Sequence, residues 1–182
     1  MAIPNPTIKF TYEDYLNTPD DTRYELLDGE LVMPPAPGEF HQSVSIQLGA
    51  KLFLFTSEHS LGRVYHAPFD VVLSDMDVVQ PDLIFVSNER ADIITPANIQ
   101  GAPDLVVEIL SPSTATRDKT FKRSLYARHG ITEYWMVDLT EKTITVLRLG
   151  EHGFEVVDTY GEGETLTSPT LQGFTLNLDD IF

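Results

Sequence analysis

Two acidic residues, Asp82 and Glu108, adjoin dense apolar runs and are the first candidates for chemistry. Glu108 interrupts Asp104–Leu110 (DLVVEIL), a run typical of a central strand buried on both faces. A carboxylate there is costly unless it is compensated. Glu108 therefore either reaches a sheet edge, solvated or paired with an arginine, or binds a cation at the strand's carboxyl end. Asp82 begins a second apolar run, and if the two strands pair, both carboxylates could bind one Mg²⁺ or Mn²⁺.

A lysine on a predicted helix is the third candidate. The segment Thr116–His129 is predicted to be a helix that ends at Gly130, a residue type favoured just after a helix. The 3.6-residue period puts Lys122 on the inward arc with Leu125 and Tyr126. Its ammonium could therefore point toward the carboxylates, orient a water and stabilise charge that develops on a phosphate. The alternative is a lysine whose stem covers apolar surface while its head stays in water.

Two further residues, Glu25 and His41, are weaker candidates, and Asp104 is a rival for the role of Asp82. Glu25 lies in a predicted hairpin, where a glutamate is usually solvated or hydrogen-bonded. His41 lies on the apolar face of a predicted helix, where a histidine is more often a satisfied core residue. Asp104 repeats the Pro-Asp-Leu tripeptide of Asp82. Because four residues of strand span roughly 13 Å, Asp104 is too far from Glu108 to share one small cation, and Asp82 is preferred.

The remaining patterns predict the elements that must position these side chains. Asp28-Gly29 supplies the positive φ angles of a tight hairpin turn. The apolar spacing after Phe40 fits both a strand and a helix, and twenty residues without proline favour the helix. The predicted elements are a hairpin at 24–32, a helix at 40–59, strands at 63–73, 78–86 and 104–110, the lysine helix, strands at 134–139 and 143–149, and a β-rich remainder. This order predicts a mixed α/β protein.

Composition restricts the protein class. The chain has 182 residues, is 42% hydrophobic and contains no cysteine, so one domain spanning 1–182 is expected. The lack of cysteine excludes disulfide scaffolds, cysteine zinc sites, iron–sulfur clusters and thiol nucleophiles. With no secretory-signal pattern at the N-terminus and no long apolar run, a cytoplasmic protein that does not enter a membrane is expected.

The net charge of −16 opposes nucleic-acid binding over most of the surface. Residues 115–130 are a local exception, because they carry five of the twelve Lys and Arg residues. A basic patch at 117–128 is therefore the expected contact with DNA. Self-association as a homodimer would pair two such helices and turn the acidic flanks outward.

Four motifs and an N-terminal pattern resemble the Uma family, described as "putative restriction endonucleases", of the PD-(D/E)xK nuclease superfamily. The N-terminal pattern is Tyr24–Glu30 (YELLDGE) with His41. The resemblance covers about residues 10 to 150. The four motifs are Pro81-Asp82, Glu108–Ser113 (EILSPS), Asp118-x-x-x-Lys122-x-x-x-Tyr126 and Glu133–Asp138 (EYWMVD).

The resemblance implies a restriction-endonuclease-like αβββαβ core with a mixed sheet flanked by helices, here extended by the N-terminal hairpin and the C-terminal β-rich segment. It also implies that Asp82 and Glu108 bind the metal. The superfamily lysine normally lies two residues after the acid, where this chain has Leu110. The family resemblance points instead to Lys122 on the helix.

The leading hypothesis is a Mg²⁺- or Mn²⁺-dependent endonuclease that hydrolyses DNA phosphodiester bonds through Asp82, Glu108 and Lys122, with Glu25 and His41 as neighbours of the site. One alternative is a catalytically inactive nuclease fold that binds DNA or protein. Another is hydrolysis of RNA or of a nucleotide signal. Residue spacing does not separate these alternatives.

Overall fold

The helices of the protein lie at three places along the chain. A computed structural model describes residues 8–19, 22–111 and 118–182. Helix α1 spans Tyr12–Leu16, α2 spans Glu39–Glu58, and α3 spans Arg123–His129 directly after a π-helical turn at Asp118–Lys122. Short 3₁₀ turns occupy Asn88–Ile93 and Leu178–Asp180. Among the described residues, none of the helices has the length and apolarity needed to cross a membrane.

The strands form two larger sheets and one small pair. The six-stranded sheet has the order β11-β10-β9-β8-β6-β3, the five-stranded sheet β2-β1-β5-β4-β7, and β12 pairs with β13. The strands are β1 Glu25–Leu27, β2 Glu30–Val32, β3 Gly62–His66, β4 Val71–Ser74, β5 Asp77–Val79, β6 Leu83–Ser87, β7 Ile99–Gln100, β8 Leu105–Leu110, β9 Glu133–Asp138, β10 Thr143–Gly150, β11 Gly153–Tyr160, β12 Thr165–Thr167 and β13 Thr175–Asn177.

The order of elements follows the αβββαβ pattern. The two helices of the pattern are α2 and α3. Its four strands are β3, β6, β8 and β9, which are neighbours in the six-stranded sheet, while β4, β5 and β7 belong to the five-stranded sheet. Strands β8 and β9 run parallel and are joined through α3, as a crossover connection requires. The lysine helix therefore follows the carboxyl end of β8 along the chain.

Two predicted strands were wrong in extent. The strand predicted at 63–73 is divided into β3 and β4, and the one predicted at 78–86 is divided into β5 and β6. Prolines explain both breaks, because Pro68 and Pro81 have no N–H to donate to a strand ladder. The chain changes sheet at each break, which brings the five-stranded sheet against the six-stranded one.

Other local predictions are confirmed. The hairpin at 24–32 turns at Asp28 (φ 48°) and Gly29 (φ 76°). The long helix is present as α2. Gly130 ends α3 in the left-handed conformation with φ 82°. Thr116 and Arg117, the first residues of the predicted lysine helix, lie outside the described residues.

The six-stranded sheet buries both faces. One face carries Leu105, Val107 and Ile109 of β8 and packs against α2 through Leu48 and Leu52. The opposite face carries Val106 of β8 and packs against α3 and the five-stranded sheet through residues such as Leu125, Tyr126, Val71 and Val79. All six residues of β8 are buried, as predicted for a central strand. By strand alternation, Glu108 belongs to the same face as Val106.

Candidate active site

Asp82 and Glu108 come together because β6 and β8 are antiparallel neighbours. Leu83 lies opposite Val107 in this pair, and the same register continued by one residue brings Asp82 opposite Glu108. The backbone N–H of Ile109 donates to Asp82 Oδ2 at 2.7 Å, which ties the aspartate to the end of β8. Both carboxylates line one cavity. The two acids that are 26 positions apart in sequence therefore share one site.

Glu108 is buried, and two residues of the lysine helix segment donate hydrogen bonds to its carboxylate. Only 5% of its surface is exposed, and Lys122 Nζ lies 2.9 Å from its Oε1. The hydroxyl of Tyr126, one helical turn after Lys122, donates to the same oxygen. Burial raises the pKa of Tyr126 well above its ordinary value, and the charge of Glu108 adds to this rise. Tyr126 therefore stays protonated and acts as a donor.

Lys122 also bonds to Glu25, which β1 brings from the other sheet. Lys122 Nζ lies 2.9 Å from Glu25 Oε1, and the same oxygen accepts the backbone N–H of Gln80 at 2.9 Å. Glu25 is 2% exposed and Lys122 is 4% exposed. The lysine head is thus in the interior and not in solvent. The ammonium of Lys122 therefore bridges Glu25 of the five-stranded sheet and Glu108 of the six-stranded sheet.

His41, in the first turn of α2, contacts the aspartate. Its Nε2 lies 3.4 Å from Asp82 Oδ2, and its buried Nδ1 has no hydrogen-bond partner among the described residues. Burial lowers the pKa of His41, but the hydrogen bond and charge of Asp82 outweigh that effect, so the pKa is raised overall. Glu25 and His41, the two weaker candidates, both contact the main ones.

The cavity that these residues line has a volume of about 500 Å³. Its lining includes four acids, Glu25, Glu39, Asp82 and Glu108, and two permanent cations, Arg23 and Lys122. The chain segment 34–38, which is Pro-Pro-Ala-Pro-Gly, forms part of the wall. Negative charge therefore dominates the lining.

The donor set fits a hard divalent cation. Asp82 and Glu108 offer carboxylate oxygens, the ligand type that Mg²⁺ and Mn²⁺ prefer. Within residues 8–19, 22–111 and 118–182, no group of three or more His, Asp and Glu side chains has a metal-binding arrangement. The chain would thus supply two carboxylates and leave the other positions to water and substrate phosphate, a common way of binding Mg²⁺.

The sequence and the fold were then compared with known proteins. The model of the Uma2 family, described as "Putative restriction endonuclease", matches residues 11–179. The chain belongs to the Uma2 family. A solved structure from Anabaena variabilis, titled a "putative nuclease belonging to DUF820", superposes with a TM-score of 0.80 at 20% identity, covering 95% of this chain and 97% of that one. Comparison with the curated proteins gives no match. The family resemblance and the restriction-endonuclease-like fold are thus confirmed.

Three neighbours of this candidate site were not predicted from the sequence. Tyr126 was placed on the inward arc but not assigned to the site, although its spacing of four from Lys122 puts both on one helix face. Arg23 and Gln80 also line the cavity and bind each other, with Arg23 Nε 2.6 Å from Gln80 Oε1 and an Arg23 guanidinium nitrogen 2.8 Å from the Gln80 carbonyl. No local pattern identifies this pair, because it joins the segment before β1 to the segment before β6.

In the described part of the basic patch predicted at 117–128, the basic side chains are largely engaged within the fold, while Arg117 lies outside the described residues. Lys122 is buried, Lys119 pairs with Asp138 at 3.0 Å, and Arg123 donates to the Phe154 carbonyl at 2.6 Å. Arg128 has a side chain that is 56% exposed and lies 3.6 Å from Asp77. The helix therefore presents less free positive charge than its sequence suggests.

Proposed function

We propose that the protein is a metal-dependent endonuclease that hydrolyses DNA phosphodiester bonds. Asp82 and Glu108 would hold Mg²⁺ or Mn²⁺, and Lys122 would act beside them. The observation that carries the proposal is the shared cavity of the two carboxylates, with the ammonium of Lys122 2.9 Å from Glu108. Membership of a family described as "Putative restriction endonuclease" supports the same chemistry.

Charge explains why a cation belongs to this proposal. A phosphate would meet four carboxylates and two permanent cations in the cavity, and would be repelled. A bound divalent cation would neutralise this excess of two negative charges, and it would also polarise the phosphate and make water a better nucleophile. The ammonium of Lys122 adds positive charge next to the phosphate and stabilises the charge that develops on it.

Hydrogen bonds keep the proposed ligands oriented. Lys122 and Tyr126 both donate to Glu108 Oε1. The contacts of Asp82 with Ile109 N–H and His41 both use Oδ2. Each carboxylate therefore enters the reaction with its orientation already set, which lowers the entropy cost of binding the cation and the substrate.

The fold contains a matched control for Asp82. Asp104 precedes β8 and accepts the Ser87 N–H at the end of β6 at 2.7 Å, just as Asp82 precedes β6 and accepts the Ile109 N–H at 2.7 Å. The two aspartates thus occupy equivalent places at opposite ends of the β6–β8 pair. Only Asp82 lines the cavity. Asp104→Asn should therefore reproduce the structural cost of Asp82→Asn without affecting the site.

The test is cleavage of supercoiled plasmid and branched DNA in Mg²⁺ or Mn²⁺. We expect wild type and Asp104→Asn to cleave, and Asp82→Asn and Glu108→Gln to lose at least 100-fold in rate. Each removes one charged metal ligand, and about 2.7 kcal/mol of lost stabilisation corresponds to 100-fold. EDTA should abolish cleavage. Activity that survives both ligand substitutions would exclude this site, and a parallel RNA substrate tests the choice of nucleic acid.

A second candidate is a non-catalytic module that binds DNA or protein. It is favoured by the net charge of −16, because a few lysines on so acidic a chain give only weak, salt-sensitive affinity for DNA. Calorimetric titration with Mn²⁺ separates the two. The nuclease should bind Mn²⁺ with a heat that Asp82→Asn removes and Asp104→Asn retains, whereas the module need show no such heat.

A further inference from the structure

The size of the cavity restricts what can reach the acids. Glu108 is 5% exposed and the Asp82 side chain 13% exposed, and within the part of the chain that the structure describes both line a cavity of about 500 Å³. This volume lies within the range of roughly 300–1,000 Å³ that is typical of pockets for small ligands, which suits a nucleotide.

The wall of the cavity is suited to exposed bases. Pro34, Pro35 and Pro37 line it, together with Phe40 at the start of α2. Phe40 is an aromatic residue that is 38% exposed. Aromatic faces bind unpaired bases by stacking, without requiring a particular sequence. In a duplex the base faces are already stacked on their neighbours and cannot contact such a wall.

The charge distribution also favours a single strand over a duplex. Affinity for a duplex comes mainly from many Lys and Arg contacts to closely spaced phosphates. Here the chain carries −16, and Lys119 and Arg123 of the lysine helix are engaged with Asp138 and Phe154. A single strand has a lower charge density and gains affinity from stacking, so it is less penalised by an acidic surface.

We infer that the strand cleaved at this site is unpaired DNA, a single strand or an unpaired end, whose bases contact Phe40 and the proline wall while its phosphate reaches Asp82 and Glu108. The inference rests on the proposed function and names its substrate. A fully paired duplex is expected to be a poor substrate because its stacked bases cannot contact Phe40 and the proline wall, and because the acidic surface repels its closely spaced phosphates.

The experiment compares three labelled DNA substrates of one sequence: a single strand, a blunt duplex and a duplex with an unpaired extension. Cleavage is measured as kcat/KM in Mn²⁺. Binding is measured separately by fluorescence anisotropy with Glu108→Gln in Mn²⁺, so that it does not depend on cleavage. We expect the single strand to exceed the blunt duplex at least tenfold in both measurements, and the extended duplex to be cut only in its unpaired part.

Phe40→Ala tests the wall, and Phe53→Ala is its control. Phe53 is on the same helix and 57% exposed but does not line the cavity. We expect Phe40→Ala to weaken single-strand binding about tenfold, with duplex binding and the unfolding transition unchanged, and Phe53→Ala to have no effect. An unchanged affinity in Phe40→Ala would overturn the stacking role.

The outcomes separate this inference from the proposed function. Equal or faster cleavage of the blunt duplex overturns the inference and leaves the nuclease intact. Lack of cleavage of all three substrates, with the tenfold binding preference preserved, overturns the nuclease and supports the strand preference. Equal binding of single strand and duplex overturns the inference whatever the cleavage result.

Discussion

Replacing Lys122 with methionine should destabilise the protein far more than an ordinary lysine substitution. Its ammonium lies 2.9 Å from both Glu25 and Glu108, and all three side chains are 7% exposed or less. Methionine matches the stem in size but removes the charge, which leaves two buried carboxylates without their shared cation. Breaking a buried ion pair from one side typically costs about 3–5 kcal/mol. For a chain of this length, that corresponds to a fall in Tm of roughly 6–20 °C.

Lys119→Met is the matched control from the same π-helical turn. Its ion pair with Asp138 is exposed, with side-chain exposures of 47% and 22%, and such pairs are worth about 0–1 kcal/mol. Urea unfolding, followed by the emission of Trp135, measures both variants. Trp135 is the one tryptophan of the chain and is fully buried, so its emission reports on the core.

A double-mutant cycle tests the cause of the loss. Glu108→Gln in the Lys122→Met background removes one of the two uncompensated charges, so the double variant should be more stable than the sum of the two single losses predicts. If Lys122→Met lowered the free energy of unfolding by less than about 1 kcal/mol, as Lys119→Met should, the buried ion pairs of Lys122 with Glu25 and Glu108 would be refuted. If the stability loss of the double variant equalled the sum of the two single losses, the contact between Lys122 and Glu108 would be refuted.

Three further predictions concern stability, each measured by urea unfolding. Tyr126→Phe removes a donor to a buried carboxylate and should cost about 1.5–3 kcal/mol, and no loss would contradict that hydrogen bond. Glu133→Gln should cost a similar amount, because this buried acid accepts the Ser168 hydroxyl and the Thr170 N–H, and Trp135 emission should shift with it. Gly62→Ala should cost about 1–3 kcal/mol, because a Cβ would collide with the Val86 carbonyl and lie 2.8 Å from Ser87 Cα; wild-type stability would show that β3 can move away.

The proximity of Asp82 to Glu108 could be predicted because local patterns determine it. Both acids adjoin apolar runs long enough to be recognised as strands, and neighbouring strands commonly pair. The direction of Lys122 followed in the same way from helical periodicity. In each case the relevant signal lies within a few residues of the side chain concerned.

The partners of Glu25 could not be predicted by the same means. Its bond to Lys122 spans 97 residues and joins two sheets, and no spacing rule covers such a contact. The division of two predicted strands at Pro68 and Pro81 depended on recognising how strongly proline interrupts a ladder. Without that division, the chain appears to have one sheet, and the hairpin that carries Glu25 has no reason to approach the site.

The buried ion pairs of Lys122 with Glu25 and Glu108 also have a consequence for biosynthesis. A ribosome makes Glu25 97 residues before the lysine that neutralises it. Burying a lone carboxylate is costly, so the N-terminal hairpin gains little by settling against the growing chain until that lysine has emerged. The hairpin is translated well before Lys122 and would thus be among the last parts to reach its final position, and nascent chains that stop short of residue 122 would keep this hairpin hydrated and open to proteases.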